Sequence, residues 1–385
     1  MRSLEENLEQ RRLAHLYRRR EVLASAQGIE VTIENECLLA FCSNDYLGLA
    51  NHPEVVRALQ EGAARYGVGS GASHLVSGHS AAHHALEEEL AEFVGTQRAL
   101  LFSTGYMANL GVVSALASRG GTVFEDRLNH ASLIDAARLA RAKVVRYPHA
   151  DAATLAQRMA AARQPELITT DAVFSMDGDV APLAALTALA AKHGARLLAD
   201  DAHGFGVLGR HGRGSFEAQG VELAAPAIYM GTLGKALGTF GAFVAGEAAL
   251  IETLIQQART YIYTTALPPA VAEATRAALR LVIKESWRRE HLQQLIARFR
   301  AGAARLGLQL APSLTAIQPV MLGAAETALA ASRVLRERGI WVPAIRPPTV
   351  PVGSARLRVS FSAAHTFDHV DRLLVALAPL TRDAA

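Results

Sequence analysis

One lysine in this chain stands where a cation has no evident structural use: Lys235 lies inside Gly231-Thr232-Leu233-Gly234-Lys235-Ala236-Leu237-Gly238. The sequence holds four lysines against 35 arginines, so positive charge comes almost entirely from guanidinium groups. Arginine makes ion pairs and anion contacts as well as lysine does, but only the lysine amine can lose its proton, attack a carbonyl and form an imine. Lys143 opens an apolar run, Lys192 ends a helical pattern before Gly194, and Lys284 lies in the charged stretch Lys284–Glu290; these three read as solvated charges. Lys235 is therefore the candidate nucleophile.

Three stretches rich in chemistry each follow an apolar run: Asp200-Asp201-Ala202-His203-Gly204 after Arg196–Ala199, Val173–Asp179 after Leu167–Thr170, and the Lys235 stretch after Ala227–Met230. Ligands of open α/β sheets collect at such strand ends. An imine-forming lysine, a strand-end acid and a glycine-rich anion loop are what pyridoxal phosphate requires: an amine for its aldehyde, a carboxylate to keep its ring nitrogen protonated, and amides or hydroxyls for its phosphate. Asp200 taken alone also suits a helix N-cap or a buried ion pair; beside Lys235 the cofactor reading prevails. Ser103–Asn109 follows a strand and opens a helix, so its amides suit a phosphate, or a plain strand-to-helix turn. His130 suits either a helix cap or a ring lying flat on an aromatic cofactor. His79, His83 and His84 read as ordinary helix and loop residues. With no acidic partner at a ligand-like spacing, no metal site is expected there.

Two rival motifs fail. Gly204-Phe205-Gly206-Val207-Leu208-Gly209 matches a dinucleotide fingerprint, which would suit a nucleotide-binding oxidoreductase, yet Arg210-His211-Gly212-Arg213-Gly214 cannot open the helix that such a fingerprint needs. Gly234-Lys235 resembles a P-loop, but Tyr229 stands where its first glycine belongs and Ala236 where the hydroxyl residue would be.

These residues need a scaffold. A 385-residue chain with 50% hydrophobic and 19% charged residues can bury a substantial core, and disorder is excluded. The net charge of +3 and the dispersed arginines do not suit nucleic acid; an anionic small ligand is more economical. The arginine-rich stretch 1–20 resembles a transit peptide, but Glu5, Glu6 and Glu9 contradict that. No apolar run is long enough to span a membrane, and Cys37 and Cys42 make neither a zinc set nor a disulfide framework, so a cytoplasmic protein is expected. From about Pro53 to Gly246, short apolar runs alternate with alanine-rich helical patterns, the signature of a mainly parallel sheet wrapped by helices. Further strands are predicted at Ala99–Phe102, Thr122–Glu125, Lys143–Tyr147 and Gly241–Val244. A long helical stretch over Ala270–Leu306 then leads to a smaller α+β segment, with strands near Ile317–Leu322, Ile340–Val342 and Leu357–Phe361 and a closing helix after Thr366. The expected division is an N-terminal helix and hairpin arm over 1–46, a large domain over 47–280 and a C-terminal α+β domain over 281–385.

Nearly end to end, the chain resembles the α-oxoamine synthases, fold-type I pyridoxal phosphate enzymes that condense an amino acid with an acyl thioester and release carbon dioxide. Ser43–Leu49, Gly67–Gly71, Leu75–Gly78, Val173–Asp179, Asp200–Gly204, Thr232–Lys235 and Arg356–Arg358 carry the likeness. Ala316–Pro319 and Ala344–Pro351 are most similar to the biotin-pathway branch, which takes L-alanine and a pimeloyl thioester on coenzyme A or a carrier protein. Ala72 and His79 depart from the pattern, which has glycine and tyrosine there. The resemblance implies a seven-stranded sheet and a homodimer with its active site at the interface. It also implies that Lys235 carries the cofactor and acts as general base, Asp200 pairs with the ring nitrogen, His203 and Ser175 bond the ring hydroxyl, and His130 stacks on the ring. Gly105, Tyr106 and Thr232 would bind the phosphate, joined by Thr264 or Thr265 of the neighbouring subunit. Arg358 would grip the amino-acid carboxylate, with Arg18 and Thr349 at substrate-contact positions. A sibling condensing glycine with acetyl-CoA, or one taking a longer acyl chain, is the alternative, and a catalytically silent protein on this fold would have no use for Lys235, Asp200 and Arg358.

Overall fold

The computed structural model describes residues 3–13 and 16–381. An N-terminal helix, Leu4–Leu13, is followed by strands β1 (Glu30–Ile33) and β2 (Glu36–Ala40). Next come β3 (Arg98–Phe102), β4 (Thr122–Asp126), β5 (Lys143–Tyr147), β6 (Pro165–Asp171), β7 (Arg196–Asp200), β8 (Ala227–Thr232) and β9 (Ala242–Gly246). The last four are β10 (Ile317–Gly323), β11 (Ile340–Trp341), β12 (Ala344–Ile345) and β13 (Ala355–Ser360). The chain clusters into two units, one of residues 47–175 and 179–290, the other of residues 1–46, 176–178 and 291–385. The 1–46 segment thus clusters with the C-terminal residues.

The larger unit is built on a seven-stranded sheet in the order β3-β9-β8-β7-β6-β4-β5. β9 alone runs against its neighbours in this sheet, pairing antiparallel with both β8 and β3. The connection explains it: a parallel return needs a crossover of a dozen or more residues, and residues 233–241, which carry Lys235, are too few. The strands read as near-continuous apolar runs because helices cover the sheet. On one face Ala108, Val112, Leu133, Ala136, Leu250 and Leu254 pack on Leu100, Val123, Leu167, Leu198, Ile228 and Val244, all buried. Alanine at so many helix positions costs little helix propensity.

The helical stretch expected over Ala270–Leu306 is broken. It forms Pro269–Lys284 and Trp287–Arg305, separated at Glu285-Ser286. The interruption turns two arginines inward: the Arg288 Nη1 donates to the Leu47 carbonyl at 3.0 Å and the Arg289 Nη1 to that of Val282 at 2.7 Å. Hydrophobic periodicity carries no sign of this, since both look like surface charges in the sequence.

In the smaller unit β1 and β2 form a hairpin whose two-residue turn, Glu34-Asn35, has φ of 50° and 70°, the primed turn that matches strand twist. Val31, Ile33, Leu38 and Ala40 bury one face against Trp341, Leu23 and Cys42. β11 adds to β2 in parallel, and β10-β13-β12 form a second, antiparallel sheet. β12 and the helix Ala325–Glu337 were not foreseen; a two-residue strand is below what alternation can signal. Among the described residues no helix is long and apolar enough to cross a membrane.

The turn after Lys235 depends on Gly238. Its φ is +66°, and a Cβ there would lie 2.3 Å from the Ala50 backbone nitrogen. Gly238→Val is expected to destabilise the fold by roughly 3 kcal/mol through backbone strain and overpacking, read as a shift of the urea midpoint. A midpoint within error of the wild type would remove this turn from the structural account.

Candidate active site

Asp200 ends β7 and Asp171 ends β6, and the register sets them side by side. Burying a carboxylate is costly unless it is hydrogen-bonded. Asp200 is 5% exposed, and its oxygens accept from the Asn109 amide at 2.8 Å and the Ala202 N–H at 3.0 Å. Asn109, on the helix Gly105–Leu116, also donates to the Ser132 hydroxyl at 2.9 Å. Both amide hydrogens are thus spent, while its buried carbonyl oxygen has no partner among the described residues. The neighbouring Asp201 points elsewhere: it accepts from Ser215 N–H at 2.7 Å and the Tyr229 hydroxyl at 3.0 Å, and burial pushes its carboxyl up to about 7. Asp171 receives the His130 N–H at 2.6 Å. Burial first and the Asp200 charge second hold its carboxyl well above the usual range, with Lys235 pulling it back.

Lys235 is half-buried, and its Nζ lies 3.4 Å from the Thr232 hydroxyl. Thr232 in turn crowds the start of the Gly105 helix, where a Cβ on Gly105 would meet the Thr232 methyl at 2.8 Å. Thr104 caps that helix through the Met107 N–H at 3.2 Å. The Gly105 and Tyr106 amides are then among those that helix geometry leaves without an internal partner, and together with the helix dipole they suit an anion. His130 caps the helix Ala131–Leu139, its Nδ1 accepting from the Ser132 N–H at 3.3 Å, and its ring remains exposed with Tyr106 edge-on at 6.4 Å. His203 and Ser175 are half-buried. The Thr265 carbonyl accepts from the Ser103 hydroxyl at 3.3 Å, and Thr264 is half-buried beside it in the chain.

These residues fit pyridoxal phosphate. The donor set offers an amine, a buried carboxylate held by hydrogen bonds, an exposed imidazole and a glycine at a helix start that the Thr232 side chain approaches closely. Asn109 and Asp171 were missed as contributors. Asn109 sits four residues after Gly105, on the same helix face, the one signal that could have found it.

The expected substrate residues Arg18, Thr349 and Arg358 belong to the smaller unit. Arg358 is 6% exposed; it donates to the Ser360 hydroxyl at 2.8 Å and lies 3.3 Å from the Asn44 amide oxygen. Arg18 donates to the Thr349 hydroxyl at 3.3 Å.

Two further clusters escaped the sequence. His149 lies between Asp126 at 3.0 Å and Asp179 at 2.6 Å. The second corrects the statement that the histidines lack an acidic partner: His79, His84 and Glu87 offer ligand atoms within 4.8 Å of one another, as do His74, His79 and His83. Burial and the neighbouring imidazoles push His74 down to about 3, and burial pushes the Glu87 carboxyl up to about 7.

A mainly parallel sheet with a lysine, a buried acid and an anion-binding helix start at its strand ends defines a pyridoxal phosphate-dependent transferase of fold type I. The family model described as "Aminotransferase class I and II" matches residues 36–377. An 8-amino-7-oxononanoate synthase of Stutzerimonas stutzeri is 62% identical over 97% of this chain and 96% of its own length. A serine palmitoyltransferase of S. paucimobilis, solved with bound PLP-myriocin, superposes with a TM-score of 0.92 at 32% identity, over 99% of this chain and 97% of that one. An 8-amino-7-oxononanoate synthase of Francisella tularensis gives a TM-score of 0.78 at 34% identity, over 90% and 98%. The chain belongs to the aminotransferase class I and II family and, within it, to the 8-amino-7-oxononanoate synthases.

His149 yields a pH test. Burial favours the neutral ring, but the hydrogen bonds and charges of Asp126 and Asp179 outweigh it and raise its pKa from 6.5 to about 10. The clamp's contribution is therefore complete below pH 6.5 and is lost as pH rises through about 10. The stability gap between wild type and His149→Gln in urea titrations is expected to narrow across that window; a gap independent of pH would contradict the clamp.

Proposed function

We propose that this chain condenses L-alanine with a pimeloyl thioester, carried on coenzyme A or a carrier protein, to give 8-amino-7-oxononanoate, carbon dioxide and the free thiol, as a step of biotin biosynthesis. The observation that carries the reading is the buried Asp200 carboxylate, fixed by Asn109 and Ala202 on the same sheet edge as the Lys235 amine. When bound, pyridoxal phosphate supplies a protonated ring that draws electrons from the amino acid's Cα. Asp200 would hold the proton on that ring nitrogen. Gly105, Tyr106 and Thr232 would hold the phosphate, His203 and Ser175 the ring hydroxyl, and His130 the ring itself.

Lys235 is the amine that would hold the cofactor through its aldehyde. The freed Nζ removes the proton from Cα and later returns one after the carboxyl group has left as carbon dioxide. Its hydrogen bond to Thr232 keeps the amine beside the site between these two transfers. Arg358 binds the amino-acid carboxylate, a task that the two parallel N–H groups of a guanidinium suit. Holding that carboxylate selects which bond at Cα is broken. Arg18 and Thr349 contact the acyl substrate. The enzyme works in the cytoplasm as a homodimer, with Thr264 or Thr265 reaching the neighbouring subunit's phosphate.

Lys235→Ala is expected to lose the visible absorbance of the cofactor-loaded protein and at least about 10³-fold in turnover. Steady-state rates with alanine, glycine and serine, each paired with pimeloyl-, acetyl- and palmitoyl-CoA, test the substrates. Alanine with pimeloyl-CoA should lead the panel; preference for glycine with acetyl-CoA would move the chain to a sibling activity.

A further inference from the structure

The histidine cluster contains none of the residues given a catalytic or cofactor role above. His79 precedes the N-cap of the helix Ala81–Val94, and that start is locked by a reciprocal cap in which Ser80 N–H donates to His83 Nδ1 at 3.0 Å. The other His83 nitrogen bonds the Leu267 carbonyl at 2.7 Å. Both ring nitrogens of His83 are therefore committed to the fold, which removes it from any ligand set. His84 and Glu87 stand three residues apart on one helix face, and with His79 and His74 they line a cavity of about 390 Å³. One Glu87 oxygen is pinned by the Leu101 N–H at 2.9 Å, which fixes the carboxylate and leaves the second oxygen for another partner.

We propose that His79, His84 and Glu87 bind one divalent transition-metal ion of the zinc class, with His74 orienting His79 from behind. Two imidazoles and one carboxylate are a borderline-soft set that selects Zn²⁺, Co²⁺ or Ni²⁺ over magnesium and calcium, and solvent fills the remaining position. His74 Nδ1 lies 2.9 Å from His79 Nδ1, so one of them carries the proton. With the proton on His79, its Nε2 presents a lone pair, the arrangement that an outer-sphere partner gives a metal-binding histidine. His74 is itself held by stacking on Tyr261, at 4.9 Å between centroids and 11° between planes.

Ligand atoms of a tetrahedral zinc lie about 3.4 Å apart, given bonds of roughly 2.0–2.1 Å. The observed spread within 4.8 Å closes by rotating His84, whose present partner is the exposed Glu88 at 3.4 Å. Arg98 lines the same cavity, and its charge is met by Glu252 at 3.1 Å. The ion would tie the segment before the helix to the helix itself. That segment is also tied to Leu267, through the Ser70 hydroxyl at 2.6 Å.

The test uses tag-free, cofactor-loaded enzyme dialysed free of chelator and titrated with Zn²⁺ by calorimetry, with bound metal counted by elemental analysis. One equivalent per chain is expected. His84→Asn and Glu87→Gln should each weaken it by more than the roughly 10- to 100-fold that loss of an outer-sphere partner costs, and His74→Phe by about that amount. His193→Gln should leave it unchanged. Thermal midpoints without metal confirm that each variant folds. Failure of the wild type to retain one equivalent, or unchanged affinity in folded His84→Asn and Glu87→Gln, overturns the site. Neither result bears on the condensation, whose residues are separate.

Discussion

A carboxylate pair buried at the edge of a sheet governs this molecule. Asp171 and Asp200 end adjacent strands, and burial together with the Asp200 charge holds the Asp171 carboxyl well above its usual range. The fold supplies part of the compensation through the Asn109 amide, two backbone N–H groups and the Lys235 ammonium. Burying two carboxyl groups at adjacent strand ends is the electrostatic cost that these partners offset.

The geometry around that pair follows from chain connectivity. β6 and β7 are parallel neighbours, so their carboxyl ends open on the same side, and the helix Gly105–Leu116 brings Asn109 over them. The short return from β8 to β9 forces an antiparallel strand and holds Lys235 in a tight loop rather than on a helix. Gly105 lets the Thr232 side chain and the helix start approach closely, so hydroxyl, amine and amides share one small region.

The smaller unit shows the same economy in its own terms. The Arg358 guanidinium, nearly buried, donates to the Ser360 hydroxyl and to the Asn44 amide oxygen. Arg356, two residues before it, is ion-paired to Asp177 at 2.5 Å. Two arginines of one strand thus take different partners, an acid for Arg356 and a hydroxyl and an amide oxygen for Arg358. As residues i and i+2 of β13 they share one face of the strand, so the difference lies in which partner each meets.

The amino-acid sequence by itself determined the chemistry available: a lone reactive lysine among arginines, acids and glycines after apolar runs, and the alternation of strand and helix that makes a mainly parallel sheet. These are local patterns with periods of a few residues, and apolar burial enforces them. Tertiary structure decided which of two consecutive acids is offered for function. Asp201 is absorbed by Ser215 and Tyr229, residues 14 and 28 positions away, and no local pattern records that. It likewise turned Asn109 toward Asp200, buried Arg288 and Arg289 at an unforeseen helix break, and gathered His79, His84 and Glu87 about one cavity. In each case the outcome depends on which distant element packs against a side chain, and that choice belongs to the folded chain as a whole.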